Sequence, residues 1–102
     1  MARIARNGDK TTTGHPCTKK APCRASQSEV FVDSKPMLMR GDRVKPHTIL
    51  RKVKGKLKCI VHRAAVKRGS YSVFCKGIPV ARRGDRADKG AIYTASRGVF
   101  AG

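Results

Sequence analysis

The dipeptide Gly-Asp occurs at residues 8–9, 41–42 and 84–85, and Val-Phe occurs at 30–31, 73–74 and 99–100. Each Gly-Asp follows a basic residue by one or two places and precedes a polar segment containing Gly or Pro. In a chain of 102 residues this recurrence constrains the fold more tightly than any composition figure. It divides a single domain, residues 1–102, into about three copies of one unit: 2–15 completed by the C-terminal 96–102, 28–47, and 71–90. Three units on so short a chain predict a pseudo-three-fold object that starts inside one copy and closes with its last Val-Phe.

Within a copy the pattern is that of a β-hairpin. YSVFCKGIPVAR (71–82) turns at Lys76-Gly77 between two short apolar runs, and VFVDSKPMLMR (30–40) does the same around Asp33-Ser34-Lys35. Pro36 and Pro79 cannot donate to a ladder and belong at a strand start or an edge. No segment carries a sustained 3.6-residue apolar period with caps, so the fold class is all-β. Glycine before each repeated Asp supplies an unusual φ, and the carboxylate is expected to accept from the N–H groups just after it, closing a turn. Catalysis by three equivalent carboxylates would need an asymmetric pocket that repetition opposes. The Val-Phe pairs look like core.

These residues resemble a known family. Pro79-Val80-Ala81-Arg82-Arg83-Gly84-Asp85, the opening ARNGDKTTTGH (5–15) and the three-copy layout are similar to the PAAR-repeat proteins, whose Pro-Ala-Ala-Arg motif residues 79–82 nearly spell. The resemblance runs from residue 2 to 102, with departures at Pro36-Met37-Leu38-Met39-Arg40 and at Lys89, where many members have a cysteine. It implies a short cone of three β-hairpins, a membrane-piercing tip that caps and sharpens the trimeric β-helical spike of a contractile phage tail or type VI secretion system, one copy per trimer. It also implies a zinc or similar ion held by three His and one Cys near the tip, and transient contact with the target cell envelope. Such a protein is made in the cytoplasm and carried at a virion tail tip or injected with the spike. It takes no small-molecule substrate.

The residues themselves offer such a site. His15 lies six residues after Asp9 and His47 five after Asp42, in equivalent segments of two copies. Cys59 and His62, spaced C-x2-H, lie in the insert RKVKGKLKCIVH (51–62), which can fold back toward the same point. Scattered surface histidines are the plainer explanation, but the repeat brings His15 and His47 to matching positions. The expected ligands are therefore His15, His47, Cys59 and His62, with Cys17 as the second choice of thiolate. Three imidazoles and a thiolate form a closed tetrahedral set typical of structural zinc, iron remaining an alternative. A metal staple also suits a domain whose small core leaves a thin stability margin. Cys75 reads as a small buried hydrophobe, and disulfides are not expected of a chain assembled in a reducing cytoplasm.

Lys and Arg number 24 against 6 Asp and Glu, a net charge of +18, which attracts anionic partners of any class. The basic residues are spread along the chain, and Arg51, Lys52, Lys54, Lys56 and Lys58 suit an exposed strand or loop. A small basic, metal-stapled nucleic-acid-binding module is the rival reading, against which stands the lack of aromatics interleaved with the basic residues. A metal-dependent hydrolase would need an open coordination position and a general base, and Glu29 is the only Glu; no enzymatic activity is expected.

Overall fold

The hairpins form where the repeats place their turn residues. In the computed structural model, which describes residues 2–102, Asp33-Ser34 turn between β4 (Phe31–Val32) and β5 (Lys35–Pro36), and Lys76-Gly77 turn between β8 (Phe74–Cys75) and β9 (Ile78–Pro79). Both turn residues have positive φ in each case, the geometry that matches strand twist. The third pair joins the two ends of the chain, β1 (Ala2–Arg3) against β12 (Phe100–Ala101). The remaining elements are β2 (Lys10–Thr12), β3 (Lys20–Arg24), β6 (Arg43–Val53), β7 (Lys56–Ala65), β10 (Arg86–Ala87) and β11 (Gly90–Ala91). The described residues contain no helix, as the sequence predicts.

Backbone hydrogen bonds close a cycle among residues 5, 38 and 81. Ala5 N–H donates to Ala81 O, Ala81 N–H to Leu38 O, and Leu38 N–H back to Ala5 O, at 2.9, 2.9 and 3.1 Å. All three residues are fully buried. Around them run three further bridges in the same cyclic order, Ile4 with Arg82, Arg6 with Met37, and Met39 with Val80.

Each Gly-Asp turn repeats the same contacts. Gly8, Gly41 and Gly84 have φ of +87°, +91° and +91°, a conformation that glycine adopts without strain. The buried Asp that follows reaches backwards: Asp9 accepts from Arg6 N–H at 2.6 Å, Asp42 from Met39 N–H at 2.8 Å and Asp85 from Arg82 N–H at 2.7 Å. This reverses the expected direction: Lys10 N–H, just after Asp9, donates to Thr94 Oγ1, and the backbone carbonyls of Asp9, Asp42 and Asp85 accept from Cys23, Val66 and Ile92 N–H. Arg6 and Arg82 also chelate their Asp through the guanidinium, which raises their pKa above the ordinary value. The middle copy has Met39 in that place, and Ser26 Oγ donates to Asp42 instead, at 2.5 Å.

The Val-Phe pairs are not core. Phe31, Phe74 and Phe100 are 52, 56 and 45% exposed, while the closed interior is filled by Ala, Val, Ile, Leu, Met and Cys side chains.

One sheet departs from the cycle. It has strand order β2-β3-β6-β7, and β3 pairs only with Arg43 and Val44 at the start of β6. From there β6 and β7 run on as a two-stranded ribbon to a Lys54-Gly55 turn, and the molecule is elongated, 46 × 23 × 21 Å.

Candidate metal centre

The ribbon brings two of the predicted ligands face to face. His47 and His62 are directly paired in the β6–β7 ladder, so their side chains leave the same face of the ribbon. A β-bulge sets this register: Val44 pairs with Ala64 and His47 with His62, leaving one extra residue on β6. Pro46, which has no N–H to give the ladder, sits in that bulge. The offset lets Val44 and His47, three apart in sequence, both be buried on the inner face.

His15 is supplied by the loop after β2. Its N–H lies 3.2 Å from Thr13 Oγ1, whose hydroxyl donates to Thr18 O, and Thr13 N–H donates to Lys19 O. Thr18 Oγ1 meets Thr48 Oγ1 at 2.8 Å and accepts from Thr48 N–H, fastening this loop to the ribbon. The imidazole centroids of His15, His47 and His62 are 5.1 to 5.8 Å apart.

The fourth donor is Asp88, which the sequence reading missed. It lies at positive φ in the turn between β10 and β11, one residue before the Lys89 noted above. A close approach seats that turn: a Cβ on Gly90 would stand 1.9 Å from Thr12 O, so only glycine lets β11 lie this tightly against β2. Asp88 Oδ1 is then 3.0 Å from His15 Nε2 and 3.2 Å from His62 Nε2, and Oδ2 is 2.7 Å from His47 Nε2. Burial opposes ionisation of Asp88, but the three imidazoles outweigh it and hold the carboxyl below its ordinary pKa.

Cys59 is not at this point. In an extended strand, residues three apart leave opposite faces, so C-x2-H places Cys59 on the outer face while His62 points inward. Cys59 instead forms a disulfide with Cys17, the second candidate thiolate, so the expectation of no disulfide is corrected as well. The two cysteines meet because the loop carrying Cys17 crosses the ribbon's outer face beside Thr48. Cys75 is buried, and burial, aided by Asp9 and Asp42, pushes the buried Cys23 thiol up to about 12.

His15, His47, His62 and Asp88 therefore form a group that can hold a metal ion, one ligand atom from each lying within 4.8 Å of all the others. The donor chemistry fits. His47 Nδ1 lies 3.0 Å from Lys45 O, which accepts but cannot donate. That contact requires a proton on Nδ1 and so turns the Nε2 lone pair toward the Asp88 carboxylate. Two electron-rich groups at 2.7 Å need a cation between them, either a proton or a metal, and an imidazole fixed through its other nitrogen to a carbonyl is the usual setting of a metal ligand. Imidazole and carboxylate together suit zinc and other divalent transition metals.

The PAAR motif family matches residues 7–95, which span every one of these ligands. No curated protein matches the chain.

Proposed function

Because the chain belongs to the PAAR motif family, we propose that it caps the trimeric β-helical spike of a contractile injection apparatus, as a phage tail tip or the tip of a secretion spike. One observation carries this reading beyond the family match. Phe31, Phe74 and Phe100 are each exposed in one of the three short antiparallel pairs, opposite Pro36, Pro79 and Arg3. A pseudo-three-fold body with copies at about 2–15 plus 96–102, 28–47 and 71–90 would offer one Val-Phe to each chain of a trimer, so that one copy seats on three. The exposed apolar side chains and hairpin edges suit addition to the open end of a β-helix.

In this reading the ion is zinc, with iron the alternative, and its ligands are His15, His47, His62 and, in place of Cys59, Asp88. The ion supplies structural cross-linking: it joins the loop after β2, the ribbon and the β10–β11 turn, alongside the backbone bonds from Asp88 N–H to Ala65 O and from Lys89 N–H to Thr13 O. Asp88 serves as a ligand and leaves no carboxylate in the cluster to act as a base, so the role is mechanical and not enzymatic. The protein would travel at the virion tail tip or be injected with the spike. Nucleic-acid binding is the weaker reading, since the family match favours the spike.

The test is co-purification with a trimeric β-helical spike fragment at about 0.3 M salt, where phosphate-driven binding is weakened. The wild-type chain should be retained, and a Phe31→Ser, Phe74→Ser, Phe100→Ser variant should not. Retention of RNA or DNA by the wild-type chain with no spike complex would overturn the proposal.

A further inference from the structure

The end of the ribbon has no part in the metal centre. Among the described residues β6 has no strand partner but β7 beyond His47, and at about 3.3 Å per residue Val53 lies about 20 Å past the histidine pair. Alternation sorts this segment into two faces. Leu50, Leu57 and Val61 share the outer face with Lys52 and with Cys59, where the Cys17 loop is fastened, and Leu57 and Val61 remain 66 and 70% exposed. Arg51, Lys56 and Lys58 lie on the other face, and Lys54 sits at the turn. No carboxylate occurs in the sequence between Asp42 and Asp85, so nothing within the ribbon offsets these cations.

We propose that the end of this ribbon, residues 50–61, binds an anionic phospholipid surface. Leu50, Leu57 and Val61 would enter the boundary between headgroups and acyl chains, while Lys52, Lys54 and Lys56 meet lipid phosphates. Amphipathic elements of this composition gain from both terms, apolar burial and attraction of each Lys or Arg to the negative surface. A lipid surface accounts for both faces of the ribbon, whereas duplex DNA accounts for one. A β-ribbon reading a groove presents polar side chains to base edges, and this one presents three aliphatic side chains and carries no apolar wedge at its Lys54-Gly55 turn. The inference shares a cell envelope as destination with the spike-tip reading, but it rests on different residues from the Val-Phe pairs.

The experiment is co-sedimentation of the full chain with phosphatidylcholine vesicles, with and without phosphatidylglycerol. Binding should require phosphatidylglycerol. Replacing Lys52→Thr, Lys54→Asn, Lys56→Thr and Lys58→Thr together should weaken it at least about a hundredfold. Leu57→Ser alone, at an exposed position, should weaken it about tenfold. A control removing as many charges elsewhere, Arg24→Ser, Lys35→Ser, Lys67→Ser and Arg83→Ser, should weaken it far less than the ribbon variant. Equal binding to neutral vesicles, equal loss in the control, or no effect of Leu57→Ser overturns the proposal. So does tight binding to duplex DNA that depends on the ribbon lysines while vesicles are not held. Spike binding measured on the ribbon variants should be unchanged, which separates failure of this inference from failure of the spike reading.

Discussion

The closed body and the ribbon are held by different kinds of bond. In the body, the Ala5, Leu38 and Ala81 cycle is made of backbone hydrogen bonds, and each Gly-Asp turn pairs a backbone bond from Asp N–H with a carboxylate contact to the same residue three places back, with side chains of modest size filling the interior. In the ribbon, only Arg43 and Val44 reach a third strand. Side chains fix the rest to the body: the three histidines on Asp88, Thr18 on Thr48, and the Cys17–Cys59 disulfide. Backbone pairing can be specified by a short repeated pattern, whereas a side-chain junction depends on a few residues from distant parts of the chain. The two regions should therefore respond differently to the same insults.

The largest difference is expected on metal removal. Chelation should lower the stability of the metal-loaded protein by at least about 4 kcal/mol, the contribution of a ligand present at about a thousand times its dissociation constant. Hydrogen exchange should show ribbon amides losing protection before those of Ala5, Leu38 and Ala81. Equal loss in both regions would break the distinction. His62→Ala and Asp88→Asn should each lower metal content, and Cys59→Ser should not. Gly90→Ala should lower it too, because its Cβ cannot coexist with Thr12 O and the Asp88 turn must move away.

The reverse perturbation is Leu38→Ala in the closed body. It should cost about 2–5 kcal/mol in chemical unfolding, as for other fully buried leucines, yet leave metal content unchanged under native conditions. Gly41→Ala is a smaller probe of the same region. A Cβ there meets no neighbour within 4 Å, so the cost of about 1–2 kcal/mol would come from the positive φ alone.

The smallest effect concerns acid and the metal-free protein. The Asp88 carboxyl has its pKa lowered by folding, so its ionised form contributes stability that is fully present above the ordinary value of 3.8 and is lost as pH falls through the lower folded value. Asp88→Asn should flatten the fall in urea midpoint below pH 3.8 relative to the wild-type chain. Parallel curves for the two proteins would contradict the placement of Asp88 among the imidazoles.

The same division explains what could be read from the sequence. The hairpin turns at Asp33-Ser34 and Lys76-Gly77 were legible because a turn is written in adjacent residues. The all-β class followed from them. Among the predicted ligands, His15, His47 and His62 do converge, but the C-x2-H spacing of Cys59 and His62 does not bring the thiolate to the same point. In the strand that spacing separates them: Ile60, His62 and Ala64 are partly buried while Cys59, Val61 and Arg63 are exposed on the other face. Asp88 was hidden because its position depends on Gly90 meeting Thr12 across 78 residues of chain. Pro46, whose missing N–H marks the bulge that aims His47 inward, was visible but unread.

The central claim is that one chain of this protein presents three matching contacts to a trimer. Sedimentation equilibrium of the purified complex with a trimeric β-helical spike fragment tests it most directly. The account predicts a single species containing one copy of this chain and three spike chains. A species with three copies per trimer, or no complex at any ratio, would contradict it.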